Sequence, residues 1–196
     1  TALTMIIGLV VGIVSGYYGG RVDNFIMRLV DFVMIIPGFI LFITLNTILK
    51  ANTVLGISLT FSVIYWTSYA RLFRTRTLSE ASKDYINASK TMGTRDWKIM
   101  LTELLPNISS LIITQLVLSM AGNIGLETGL SYLGFGLPIG TPSLGTLIGT
   151  AKTADIIENK QWVWLPAALF ILVLMLCINY IGQALQRSTD ARQRLG

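Results

Sequence analysis

The chain has 196 residues, of which 53% are hydrophobic and 13% charged, and its mean hydropathy is +0.65. A soluble domain carries about 25% charged residues, because its surface has to be covered with groups that water solvates; a chain this apolar is solvated by lipid instead. The formal net charge is +5, with no histidine and one cysteine, Cys177, which excludes an intrachain disulfide, the usual Cys/His zinc sites and Ser-His-Asp catalysis.

A helix that spans a bilayer needs roughly 20 mostly apolar residues. Five stretches are candidates: Ala2 to Ser15, Phe25 to Leu49, Val54 to Tyr69, Ile108 to Leu133 and Trp162 to Leu185. The first is short and opens at Thr1 without the charged n-region of a signal peptide, so an N-terminal span is expected to be missing, with five spans here and six in the complete chain. Gly8, Gly12 and Gly16 recur at every fourth residue, a small-residue ladder that lets two helices approach closely. Pro37-Gly38 interrupts the second stretch, as a gating hinge or as a kink that shapes packing. Trp162 and Trp164 open the last stretch, as an interfacial belt would.

Charge gives an orientation. If successive spans alternate sides, twelve of the Lys/Arg residues fall on one side, and Lys50, Lys152 and Lys160 on the other. The positive-inside rule makes the twelve-charge side the cytoplasm and puts the C-terminus there.

Ala70 to Asn107 is the longest polar segment and lies on that side. Ser82 is placed to cap a helix, after which Tyr85, Ala88, Ser89 and Met92 recur with helical spacing. Gly93 stands where a helix stop wants positive φ. Thr94 is placed to cap a second helix, in which Trp97, Met100, Leu101 and Leu104 repeat the spacing before Pro106 ends it. By periodicity, this pair of amphipathic helices rests on lipid headgroups or docks on a protein.

The run Asn87-Ala88-Ser89, then Gly93, then Leu105-Pro106 resembles the Glu-Ala-Ala loop of binding-protein-dependent ABC importer permeases, with the glycine and Leu-Pro in register. Asn87, Ser89 and Glu103 depart from that pattern, which has Glu, Ala and Ile there. Gly16-Tyr17-Tyr18-Gly19-Gly20-Arg21-Val22-Asp23, Leu130-Ser131-Tyr132-Leu133-Gly134-Phe135-Gly136 and Thr141-Pro142-Ser143-Leu144-Gly145 resemble the oligopeptide, dipeptide and nickel branch, so the likeness covers nearly the whole chain.

The resemblance implies an all-α polytopic bundle of the type I importer permease core, with residues 1–196 as one transmembrane domain and 82–107 as its cytoplasmic coupling loop. It implies a multi-pass protein of the bacterial plasma membrane that carries no catalytic residue and binds no cofactor itself. ATP and magnesium would sit on two P-loop ATPase subunits. A second, different permease would complete the pathway, and an extracytoplasmic binding protein would deliver the substrate, an oligopeptide or dipeptide, with a nickel chelate or other small solute as the alternative. Tyr85, Asn87, Ala88, Ser89, Met92 and Gly93 would couple to an ATPase. No metal or nucleic-acid site is expected.

Asp31 and Glu127 lie in or near apolar stretches, where charge is expensive and usually faces a cavity or a partner. Arg28, three residues before Asp31, would satisfy it locally. Glu127, with Pro37 and Ser143, is a candidate for the translocation path, or an interhelical lock. Thr141-Pro142-Ser143 could meet the binding protein, line the outer mouth or form a plain turn. A channel or ion-coupled carrier remains as a rival function, and an intramembrane enzyme as a weaker one, since the sequence lacks Gly-x-Ser-x-Gly and paired membrane aspartates.

Overall fold

The computed structural model describes residues 1–50, 53–138 and 140–193, with side chains through 188. Among them every regular element is helical: α1 (Ala2–Tyr18), α2 (Gly20–Ile35), α3 (Gly38–Leu49), α4 (Val54–Ala81), α5 (Asp84–Thr91), α6 (Asp96–Ile99), a π-helical turn (Met100–Leu104), α7 (Leu105–Leu133), α8 (Leu144–Gly149), α9 (Ala154–Asn159) and α10 (Gln161–Gln193).

Two of the described helices are long and apolar enough to cross a membrane: the continuous rod Asp96–Leu133 and Gln161–Ser188. The pair α2 and α3, bent by 80° at Pro37, makes a third if it is one span. The five-span expectation also counted α1, which has 17 residues, and the first half of α4, whose apolar residues are interleaved with Ser58, Thr60, Ser62, Tyr65 and Thr67.

The chain groups into two compact units. The first comprises Ala2–Leu41 and Phe61–Ile113. Its α1 lies directly on α4 through the glycine ladder. A Cβ on Gly8 would fall 2.5 Å from the Tyr69 Cβ, one on Gly12 would fall 2.7 Å from the Ala70 carbonyl oxygen, and one on Gly16 would fall 2.7 Å from the Thr77 Cβ. Real Cβ atoms do not come that close, so glycine is required at all three positions. The ladder packs on a sibling helix.

Charge then ties α2 to the same face of α4. Asp23 is buried; it accepts from the Ser15 hydroxyl and from both Nε and Nη2 of Arg74. Asp31 pairs with Arg71 and not with Arg28 as expected from local spacing. Asp23 and Asp31 are eight residues apart on one face of α2, and Arg71 and Arg74 form the matching row on α4. A bidentate Arg–carboxylate pair with a third donor leaves little of the Asp23 charge unsatisfied.

The second unit comprises Thr1, Phe42–Thr60 and the chain from Thr114 onward. Here α10 packs on α7, with Met175 against Gly125 and Leu118 against Gly182, while α8 and α9 lie along α10. Trp162 is exposed, as a belt residue would be. Trp164 is half-buried, and its indole N–H is buried without a partner.

Replacing Gly12 with Val is expected to cost at least about 2 kcal/mol, from overpacking against backbone. Gly122→Ala, at a helical site where an added Cβ meets nothing within 4 Å, should be neutral or stabilising by up to about 1 kcal/mol. Thermal unfolding of the detergent-solubilised protein, followed by circular dichroism, separates the two.

Candidate coupling hairpin

The polar segment forms a helix–turn–helix whose local signals are partly those expected. Gly93 has φ +80. The Thr94 N–H reaches the Ser89 carbonyl at 3.1 Å and the Gly93 N–H reaches the Lys90 carbonyl at 3.0 Å. These are the two bonds of a Schellman stop, which needs a left-handed residue at this position. An added Cβ at Gly93 would meet nothing within 4 Å, so within the chain the glycine serves conformation alone.

The start signals differ from expectation. Helix α5 begins after Lys83 and α6 after Arg95, and neither has a side-chain cap. Ser82 donates instead to the Ser79 carbonyl at 3.0 Å, closing the end of α4. Pro106 does not end the second helix. It lies in the first turn of α7, directly after the π-helical turn, whose looser hydrogen bonding takes up the missing proline N–H.

The buried face also differs. Ile86 and Ser89 are buried, whereas Tyr85, Asn87, Ala88, Met92 and Gly93 are exposed, Met92 by 77%. The expected stripe of Tyr85, Ala88, Ser89 and Met92 is therefore divided, with Ser89 turned inward. In the second helix Ile99 and Leu104 are fully buried while Trp97 and Leu101 are exposed. Two residues five apart lie about 140° from each other on an α-helix; the π turn brings Ile99 and Leu104 to one side.

Tyr17, at the end of α1, completes the small core that these residues form with Ile86. Its hydroxyl donates to Asp96 at 2.7 Å, and the Lys90 ammonium lies 4.4 Å from its ring centroid, a cation–π contact. Beside it, Glu80 is 2% exposed and accepts from Lys83 at 2.9 Å and from the Tyr85 hydroxyl at 3.1 Å. Desolvation and the Glu80 carboxylate push the Tyr85 phenol up to about 12, so it stays a donor at neutral pH. Asn107 bridges the Tyr85 hydroxyl at 3.1 Å and the Glu103 carbonyl at 2.8 Å. Ser89 donates to the Glu103 carboxylate at 2.6 Å.

Sequence reasoning missed Tyr17 and Glu80. The Arg76, Glu80 and Lys83 spacing was a readable sign of a charge cluster; nothing local marks Tyr17 as a hairpin residue.

The other candidate residues divide between the two units. Pro37 is an exposed residue of the first unit. Glu127 and Ser143 meet in the second. Glu127 accepts from Ser131 at 2.8 Å and lies 3.5 Å from the Ser143 hydroxyl. A Cβ on Gly145 would fall 2.5 Å from its carboxylate. Ser143 is the cap of α8: its hydroxyl accepts from the Thr146 N–H at 2.9 Å, and the Thr146 hydroxyl accepts from the Ser143 N–H at 3.2 Å. The Thr141-Pro142-Ser143 segment also lines an open cavity of about 850 Å³, together with Ser131, Gly134 and Lys152.

Long apolar helices carrying a polar hairpin are the architecture of an all-helical membrane protein, and comparison with known proteins gives the family. Residues 8–194 match the model for the binding-protein-dependent transport system inner membrane component, and the chain belongs to that family. It is 47% identical over 193 residues to the oligopeptide transport system permease protein OppC of Lactococcus lactis strain IL1403, covering 98% of this chain and 66% of that protein. It is 36% identical to the protein of the same name from Mycobacterium tuberculosis strain H37Rv, over 96% of this chain and 64% of that one. It is 33% identical to the dipeptide transport system permease protein DppC of Haemophilus influenzae, over 97% and 63%. The chain thus spans just under two thirds of the length of these relatives. The family is one of transport permeases of the bacterial inner membrane and not of enzymes.

Gly93→Ala is expected to destabilise the hairpin by about 1–2 kcal/mol, the cost of holding a Cβ-bearing residue at positive φ, and Gly93→Asn by less, since Asn tolerates that region. Hydrogen exchange at the Gly93 and Thr94 amides reads the difference: protection should fall in the order Gly, Asn, Ala.

Proposed function

We propose that the chain is the membrane-spanning part of a permease subunit in an ATP-driven importer of oligopeptides, and that α5 docks on a cytoplasmic ATPase. The observation that carries this reading is the division of α5 into two faces. Ile86 and Ser89 anchor it inward. Tyr85, Ala88 and Met92 form an apolar outward face on a helix that ends in a capped glycine turn. An anchored helix with an unpartnered apolar face has the form of a lever that a partner can hold.

On this reading two P-loop ATPases, which carry the ATP and magnesium, draw together, and α5 moves with the one that holds it. The motion passes through the Tyr17 core and the rod Asp96–Leu133, and the spans rock between inward- and outward-open states. A second, different permease completes the pathway and an extracytoplasmic binding protein supplies the substrate. The Lys/Arg-rich hairpin segment favours the cytoplasm for its side under the positive-inside rule, and on this reading the C-terminus lies there too. The names of the relatives favour peptides over nickel chelates. Glu127 and Ser143 would act at the outer end of the pathway, Glu127 by holding the α8 turn.

The test is copurification of the complete permease with its associated proteins in detergent. The wild type should bring down a P-loop ATPase. Met92→Glu and Ala88→Arg, both on the outward face, should reduce recovery at least about tenfold, the equivalent of one lost contact of 1.4 kcal/mol or more. An ATPase absent from the wild-type preparation, or recovered equally with both variants, would remove the docking reading. Peptide-stimulated ATPase activity in the presence of the binding protein then addresses the substrate.

A further inference from the structure

We infer that Ser89 and Glu103 form the joint that makes α5 and the rod Asp96–Leu133 move as one body, and that both are positioning residues for energy coupling. The inference rests on α5 being the ATPase-docking helix.

Three observations carry it. Ser89 is the one polar residue on the inward face of α5, and it is 9% exposed. Its hydroxyl donates at 2.6 Å to Glu103 Oε1, a length typical of a charge-assisted O–H···O⁻ bond, which is roughly twice as strong as a neutral one and directional. Glu103 lies within the π-helical turn, half-buried, and has no ion pair among the described residues. Among the described residues, the Ser89 hydroxyl is the side-chain donor to its carboxylate.

The other links from α5 into this rod differ in kind. Ile86 packs with Ile99 and Leu104, an apolar contact whose attraction has no direction. Tyr85 and Asn107 share a neutral hydrogen bond at 3.1 Å. Among the described residues, only the Ser89–Glu103 bond from α5 into this rod is both short and charge-assisted, so it sets the register between the two helices. Glu103 is held in turn through its own backbone, whose carbonyl accepts from Asn107. A displacement of α5 is thereby delivered to the π turn without slip.

The experiment compares wild type, Ser89→Ala, Glu103→Gln and Ser89→Ala/Glu103→Leu in the complete transporter reconstituted in proteoliposomes, reading peptide uptake per ATP hydrolysed alongside ATPase recovery. Ser89→Ala leaves the carboxylate without its donor and should lower uptake per ATP by about fivefold or more while the ATPase still copurifies. Glu103→Gln keeps an acceptor oxygen but loses the charge, and should fall between wild type and Ser89→Ala. The double variant removes the bond altogether and should stay as uncoupled as Ser89→Ala, whereas recovery would trace the loss to an unpaired carboxylate and not to a broken joint. Should Ser89→Ala fail to assemble, Glu103→Leu alone supplies the same comparison. Equal uptake per ATP in wild type and the single apolar variant, or recovery in the double variant, overturns the inference. Loss of ATPase recovery from the wild type itself would instead strike the docking reading beneath it.

Discussion

Direct backbone contact between α1 and α4 is the constraint on which the first unit depends. With no side chain at Gly8, Gly12 and Gly16, the two helices meet over three successive turns. That contact brings the row of Arg71 and Arg74 within reach of α2, and carries the end of α1 to the hairpin. The Asp23 cluster and the Tyr17 core are both downstream of it. Apolar attraction between helices is weak in lipid, so close packing and polar contacts of this kind have to supply the specificity.

The hairpin gains its stiffness in another way. It is small, with a core of a few side chains, and a core of that size holds little by burial alone. Polar links make up the difference: a cation above the Tyr17 ring, a phenol and a lysine on buried Glu80, and Asn107 bridging a side chain and a carbonyl. Each is modest. Together they leave almost no polar group of the inner face without a partner, which is the condition for such a network to be rigid and not merely wet.

What was legible in the sequence was what neighbouring residues decide. The glycine ladder needs only a four-residue repeat, and the stop at Gly93 only a glycine after an amphipathic run. The membrane class followed from composition. The likeness to importer permeases rested on motifs spread along the chain, and the family match over residues 8–194 bears it out. Three things were hidden. The partner of Asp31 is 40 residues away on α4, so local spacing pointed to Arg28. The inward face of α5 could not be chosen by periodicity, because Ile86 and Ser89 compete with an equally regular set at Tyr85, Ala88 and Met92. The π turn leaves no mark in composition, and Pro106 read as an end when it is a beginning.

That π turn has a geometric consequence. Each residue added to a helix turns everything after it by about 100°, so a single surplus residue, taken up as one wide turn, acts as a fixed rotation of the whole downstream rod about its axis. The angle at which the apolar sides of Asp96–Leu133 face the bilayer, and the angle at which its first turns face α5, are thus set independently. Deleting one residue between 100 and 104 would keep the rod helical, yet it would turn every residue after it by about 100° about the helix axis.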